Sequence, residues 1–279
     1  MLSEVPFSIT NASGDTLRGD IRMMQGSTRA PVVLVCHGFT AHKDWGPFPF
    51  IGRRFAEAGF VSIVFNFSHN GVGADSRRFT EREKFAGNTV GKELEDLRAV
   101  VDAVAAGVVG GGTADPSRVF VVGHSRGGGI AILGAKEDER IRGIAAWSTI
   151  ATFYRYTAHQ RSVWERDGFL PVTIRGLRTR LRLDVAVLRD LEEHRARYDL
   201  REAARTLGVP LLLIHGSADA AVRAAEAEEL YAAGESSRTE LVLLDGAGHS
   251  LGATHPFRSR SPALDQAIDL SARWFQSIT

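Results

Sequence analysis

Six short apolar runs recur along the chain: "PVVLVCH" (31–37), "FVSIVFNF" (60–67), "RVFVVG" (118–123), "IRGIAAWS" (141–148), "VPLLLIHG" (209–216) and "TELVLLDG" (239–246). They are continuous rather than alternating, and rich in Val, Ile and Leu. That is the pattern of strands covered on both faces, as in a parallel sheet. Between them the apolar period changes to three and four. Leu94, Leu97, Val101 and Val104 share one helical stripe, as do Ile51, Phe55 and Ala58, and Leu264, Ile268 and Phe275 mark a last helix. "AVRAAEAEELYAAG" reads as another helix, ending in a glycine suited to a C-terminal cap. Ahead of the first run, "VPFSIT" and "TLRGDIRM" flank "NASGD", a turn between two antiparallel strands. Strand alternating with helix predicts a doubly wound, mostly parallel α/β sheet with an N-terminal β-hairpin.

One stretch breaks the rhythm. From Ala151 to Gly208 no strand is predicted, only aromatic residues followed by the arginine-rich "RGLRTRLRLDVAVLRDLEEHRARYDLREAARTLG". It is too long for a plain connection. The expected organisation is a core of residues 1–150 and 209–279, with a helical cap insertion at 151–208 over the end where the strands finish. The last segment of that insertion is the helix leading into "VPLLLIHG". The mixed charges at helical spacing suit a solvated face laced with ion pairs, with a basic rim for anionic substrates as the alternative.

Composition narrows the function classes. At 44% hydrophobic and 24% charged residues, 279 positions suffice for a sizeable core, and a net charge of +1 gives no global argument for nucleic acid or an anionic membrane. The single cysteine, Cys36, permits no intrachain disulfide and no cysteine metal cluster. The opening residues lack a basic start followed by an apolar core, and no apolar run approaches the ~20 residues of a membrane span. A cytoplasmic protein is the expectation.

The candidate chemistry lies where strands end. "GHSRGGG" follows an apolar run and precedes an apolar helix, and Ser125 is flanked by Gly123 and Gly127. A strand that reverses at once into a helix brings the positions two before and two after the apex together. Glycine there removes the colliding side chains and lets a strained serine project its hydroxyl: a nucleophile elbow. Such a serine needs a base and a group to orient the base. Asp219 lies just past "PLLLIHG" and His249 just past "TELVLLDG", both beyond the carboxyl ends of strands, where open α/β sheets gather ligands. His255 and Asp245 are the rivals, and Asp219 also reads as an ordinary helix N-cap. His124 should point away from the serine hydroxyl, and His215 reads as packing. The backbone N–H groups of Arg126 and of Phe39, in "HGFT", are the candidate oxyanion donors, with Gly38 letting the backbone turn inward.

These residues taken in order, "HGFTAHKDW", "GHSRGG", "GSADAAV" and "GAGH", resemble the α/β-hydrolase superfamily from about Pro31 to the end, interrupted at 151–208. "HGFTAHKD" is most similar to small bacterial carboxylesterases of the cinnamoyl or feruloyl type. The resemblance implies a Ser–His–Asp esterase mechanism on a small-molecule ester, no cofactor and no metal, and a cap lining the acyl or alcohol pocket. Two departures stand out. "FNFSHNGVGAD" replaces the Asp and Arg followed by Gly-His-Gly of many relatives, leaving His69 and Asn70 either to line the pocket or to pack the loop. Arg126 stands where relatives often carry Gln or Met. The insertion's Phe153, Tyr154, Tyr156, Trp164 and Phe169 either wall an aromatic acyl site or form the cap's own core, and alongside Phe39 and Trp45 they suit a bulky hydrophobic substrate. Amides or thioesters are the alternative substrates of the same machinery, and a non-catalytic binding role is the alternative class. No pattern fixes an oligomeric state, a homodimer included.

Overall fold

A computed structural model describes residues 1–75, 78–174 and 180–278. In chain order the elements are β1 (Leu2–Thr10), β2 (Thr16–Met24), β3 (Ala30–Cys36), α1 (Phe48–Glu57), β4 (Val61–Phe65), α2 (Arg82–Ala86), α3 (Val90–Ala105), β5 (Ala114–His124), α4 (Arg126–Glu137) and β6 (Ile141–Trp147). The insertion then contributes α5 (Ala158–Asp167), β7 (Phe169–Val172), β8 (Leu181–Asp184), α6 (Val185–Glu193) and α7 (Leu200–Arg205). The chain closes with β9 (Leu211–Gly216), α8 (Ala224–Ala233), β10 (Thr239–Leu244) and α9 (Pro262–Ser277).

Every continuous apolar run is a strand, and together they form one sheet in the order β1-β2-β4-β3-β5-β6-β9-β10. The hairpin β1–β2 is antiparallel and joins β4 antiparallel, while β4-β3-β5-β6-β9-β10 are parallel neighbours. The reason the runs do not alternate is visible along β3. Val32, Leu34 and Cys36 face one apolar layer with Leu94 and Leu97 of α3 and Ile130 and Leu133 of α4. Val33 and Val35 face another, with Ile51 and Phe55 of α1 and Ile268 and Phe275 of α9. Both faces are buried, and each such side chain contributes about 1.5–3 kcal/mol relative to exposure. The doubly wound sheet with its hairpin is therefore the observed fold. Among the described residues no helix is long and apolar enough to cross a membrane.

The insertion differs from the expectation of helices alone. β7 and β8 form a separate antiparallel pair. Their signal is a period of two: Leu170 is buried beside exposed Phe169 and Pro171, and Leu181 and Leu183 are buried around exposed Arg182. With Trp164, Val187, Leu188 and Phe85 these leucines form a small apolar cluster, against which Phe39, just past β3, packs partly buried. The insertion thus packs against the loop that follows β3. Residues 175–179, the start of the arginine-rich run, lie outside the described residues. α7 instead joins the main core through Leu200, Ala203 and Ala204, as the helix leading into β9. A second difference concerns Gly234. Its φ is −71, not left-handed, and a Cβ there would fall on the Thr239 side chain, so close packing rather than a left-handed cap requires the glycine.

Candidate active site

The serine sits at the turn between β5 and α4 with φ 56 and ψ −120, a conformation L-residues rarely adopt. Its neighbours explain how the turn survives. A Cβ on Gly123 would fall on the Gly127 carbonyl, and one on Gly127 would fall on the Cys36 carbonyl. The Ser125 amide donates to the Trp147 carbonyl at the end of β6 (2.9 Å), tying the elbow to the neighbouring strand. Among the described residues the Ser125 hydroxyl has no hydrogen-bond partner.

Asp219 and His249 are brought together. His249 Nδ1 donates to Asp219 Oδ2 at 2.8 Å. The other carboxylate oxygen accepts the amides of Ala221 and Val222, both at 2.9 Å. Burial alone would push this carboxyl up. The Val222 amide, the His249 imidazole and the Ala221 amide pull harder, and hold it below the usual carboxylate value. The two loops fit because Gly216 has no Cβ: one would fall on the Ala247 carbonyl. Asp219 is not the N-cap of α8, a place taken by Arg223.

The rivals have other partners. His255 Nδ1 accepts the Gly46 amide (2.9 Å) and its ring stacks on Trp45, 5.5 Å between centroids. Asp245 accepts from Ser217 Oγ (3.2 Å) at the surface.

Three histidines support the arrangement. His124 does not idle: its ring packs 4.8 Å from that of His249, centroid to centroid, and its Nε2 donates to the His249 carbonyl (2.9 Å). Burial, with His249 nearby, pushes His124 down to about 4, so it is neutral. His215 is more than packing. Its Nε2 donates to the Val222 carbonyl (2.9 Å) and lies 3.3 Å from Asp219 Oδ2. It therefore holds the residue whose amide holds Asp219. The four-residue spacing from His215 to Asp219 across the strand end was the available signal. His37, pushed down to about 3 by burial, donates from Nδ1 to the Gly38 carbonyl (2.9 Å) and accepts the Phe67 amide at Nε2 (3.3 Å). His69, by contrast, is not brought to Ser125. It lies buried against Ser68 Oγ (2.9 Å), which also donates to Asp96 (2.9 Å). Asn70 Nδ2 donates to His37 Nε2 (3.3 Å) rather than facing an open pocket.

The oxyanion candidates flank the serine. A Cβ on Gly38 would lie 3.2 Å from Ser125 Cβ, so the "HGFT" loop approaches the elbow as closely as backbone allows. The following Thr40 has φ 62. Among the described residues the amides of Phe39 and Arg126 have no acceptor within the chain. The Arg126 side chain turns away to a buried partner, Glu93 of α3 (Nε to Oε2, 2.7 Å). The aromatic candidates divide. Trp164 is fully buried with Tyr156 edge-on at 4.9 Å, in a cluster that the insertion shares with Phe85 of α2. Tyr154 lines a cavity of about 250 Å³ with Thr152, Arg195 and Tyr198, its ring 5.0 Å from the Arg195 guanidinium. Trp45 borders a small apolar void with Phe48, His124 and Leu251. Among the described residues no group of three or more His, Cys, Asp or Glu is arranged to hold a metal ion.

Residues 32–259 match the family model of the alpha/beta hydrolase family, and the chain belongs to that family. Similar solved structures share the fold along nearly the whole length. An esterase domain from a Rhodothermus marinus protein is 20% identical, with a TM-score of 0.65, covering 98% of each chain. Est1E from Butyrivibrio proteoclasticus with ferulic acid bound is 19% identical, with a TM-score of 0.70, covering 97% of this chain and 98% of that one. A dienelactone hydrolase from Anabaena variabilis is 18% identical, with a TM-score of 0.65, covering 99% and 98%. Among curated proteins none matches.

Proposed function

We propose that the chain is a serine hydrolase acting on carboxylic esters. In this reading Ser125 Oγ turns toward His249 Nε2, loses its proton to it and attacks the ester carbonyl. Asp219, through Nδ1, fixes the imidazole tautomer and stabilises its protonated form. The Phe39 and Arg126 amides receive the oxyanion, aided at position 126 by the start of α4. The protonated His249 hands its proton to the departing alcohol. Water, activated by the same imidazole, then releases the acid from Ser125. The cycle calls on no cofactor.

The observation that carries this reading is the 2.8 Å bond between His249 and Asp219, with the His249 ring packed on His124, the residue before the serine held at positive φ. A carboxylate that accepts two backbone amides and one imidazole is ionised and immobile, as an orienting acid must be. Ferulic acid bound in Est1E makes hydroxycinnamate esters the first aromatic members of a substrate panel, beside short aliphatic esters, acyl thioesters and anilides. The test is Ser125→Ala on p-nitrophenyl acetate, with fluorophosphonate labelling of the unaltered protein. Turnover is expected to fall at least about 10³-fold while the fold persists, with the label on Ser125 alone. Undiminished turnover by the alanine variant would refute the reading.

A further inference from the structure

The Arg126–Glu93 pair stands out against the economy of the core. Both side chains are removed from water, at 12% and 4% exposure, and 33 residues separate them. Glu93 Oε1 is occupied by Asn88 Nδ2 at 2.9 Å. Arg126 Nη2 is buried with no hydrogen-bond partner. A buried ion pair recovers little more than its desolvation cost, and an orphaned donor adds to that cost. Stability alone does not explain its place one residue after the serine.

Its surroundings do. The Arg126 guanidinium carbon lies 5.9 Å from the Phe39 ring centroid and 5.3 Å from that of Phe153. Beyond Arg126, Phe39 packs on Phe85, 5.6 Å between centroids. The side chains of the two residues offered as oxyanion donors are therefore in contact, and one of them is anchored to α3. The loop carrying Phe39 already has a rear anchor, the His37 bond to the Gly38 carbonyl. Because Nη2 is sealed from solvent, a substrate group does not reach it in this arrangement.

We propose that Arg126 and Glu93 are positioning residues of the oxyanion hole. The ion pair fixes the guanidinium as a flat strut, the Phe39 ring rests on it, and the amides of 39 and 126 keep the spacing an oxyanion needs. This rests on the ester-hydrolase reading above. Removal of the strut weakens binding of the tetrahedral state and leaves binding of the planar ester nearly untouched.

The test compares Arg126→Met/Glu93→Leu, which replaces the pair by apolar groups, with Phe39→Leu, which leaves the pair whole and so does not threaten folding. Each is assayed on acetate, butyrate and hydroxycinnamate esters, and for binding of a boronic acid that mimics the tetrahedral state. The expected result is a kcat lower by roughly tenfold, KM within about twofold, the same factor for every acyl group, and boronate affinity lost in proportion. If Phe39→Leu keeps kcat and boronate affinity, or if the loss is confined to one acyl group, the inference is overturned. Should the double variant not fold, Phe39→Leu decides alone. Ser125→Ala is run beside them. Turnover retained there sinks the ester-hydrolase reading itself, whereas a dead Ser125→Ala with unimpaired strut variants sinks only the positioning role.

Discussion

The elbow that carries Ser125 and the paired loops that carry Asp219 and His249 lie at the same edge of the sheet, yet they are held differently. Around Ser125 the determinants are steric: Gly123 against the Gly127 carbonyl, Gly127 against the Cys36 carbonyl, Gly38 against Ser125 Cβ. Gly216 against the Ala247 carbonyl lets the two later loops meet, but the contacts around Asp219 itself are polar. Its two oxygens accept two amides and one imidazole, and His215 braces the Val222 that supplies one of those amides. Backbone in contact with backbone has no room to yield, so the first half is all-or-none. Hydrogen bonds can be removed one at a time, so the second half is graded. Damage to the elbow should take folding with it, while damage to the acid side should take chemistry and leave the fold.

The sharpest test of that contrast is Asp219→Asn. It keeps shape and volume but favours the wrong imidazole tautomer, so kcat is expected to drop by about 10⁴-fold. Its thermal midpoint should barely move. An unfolded variant would break the comparison. Gly123→Ala is the steric counterpart. Its methyl group would fall on the backbone of Gly127 and Gly128, and a loss of about 3 kcal/mol is expected in urea unfolding. A full-stability variant would show the elbow to be more pliant than its contacts imply. Next comes His215→Phe, which removes the donor to the Val222 carbonyl. It should lower kcat about tenfold, and His215→Gln, whose amide reaches the same carbonyl, should restore most of it.

The smallest effect concerns two imidazoles on the sterically held side. Burial depresses His37 to about 3 and His124 to about 4 from 6.5. Below pH 6.5 the unfolded chain gains protons that the folded chain does not, so stability is full above that value and declines as pH falls toward the folded values. Between about pH 7 and pH 6 the two together should cost about 1 kcal/mol, read as a falling urea midpoint. The slope should flatten in His37→Asn.

The strands and the three strand-end residues were legible because each depends on local pattern. An apolar run buried on both faces reads the same wherever it lies, and a glycine two positions either side of a serine is a steric signature written in sequence. What stayed hidden depends on distant partners. Arg126 has no legible partner until Glu93, 33 positions earlier, is folded against it. His215 sits inside a strand run, where an imidazole looks like filler. β7 and β8 were obscured by length: four residues each, with Pro171 in one and two charges in the other, their leucine alternation too brief to stand out from an arginine-rich helical context.

The placement of Asp219 and His249 after β9 and β10 also has a temporal consequence. These strands are the last two of the sheet to be synthesised and lie at its far edge. A nascent chain that has folded only through β6 carries the strained serine with neither His249 nor Asp219 beside it. In the proposed reading, a hydroxyl at the elbow therefore acquires its partners only once the outermost parallel pair has docked.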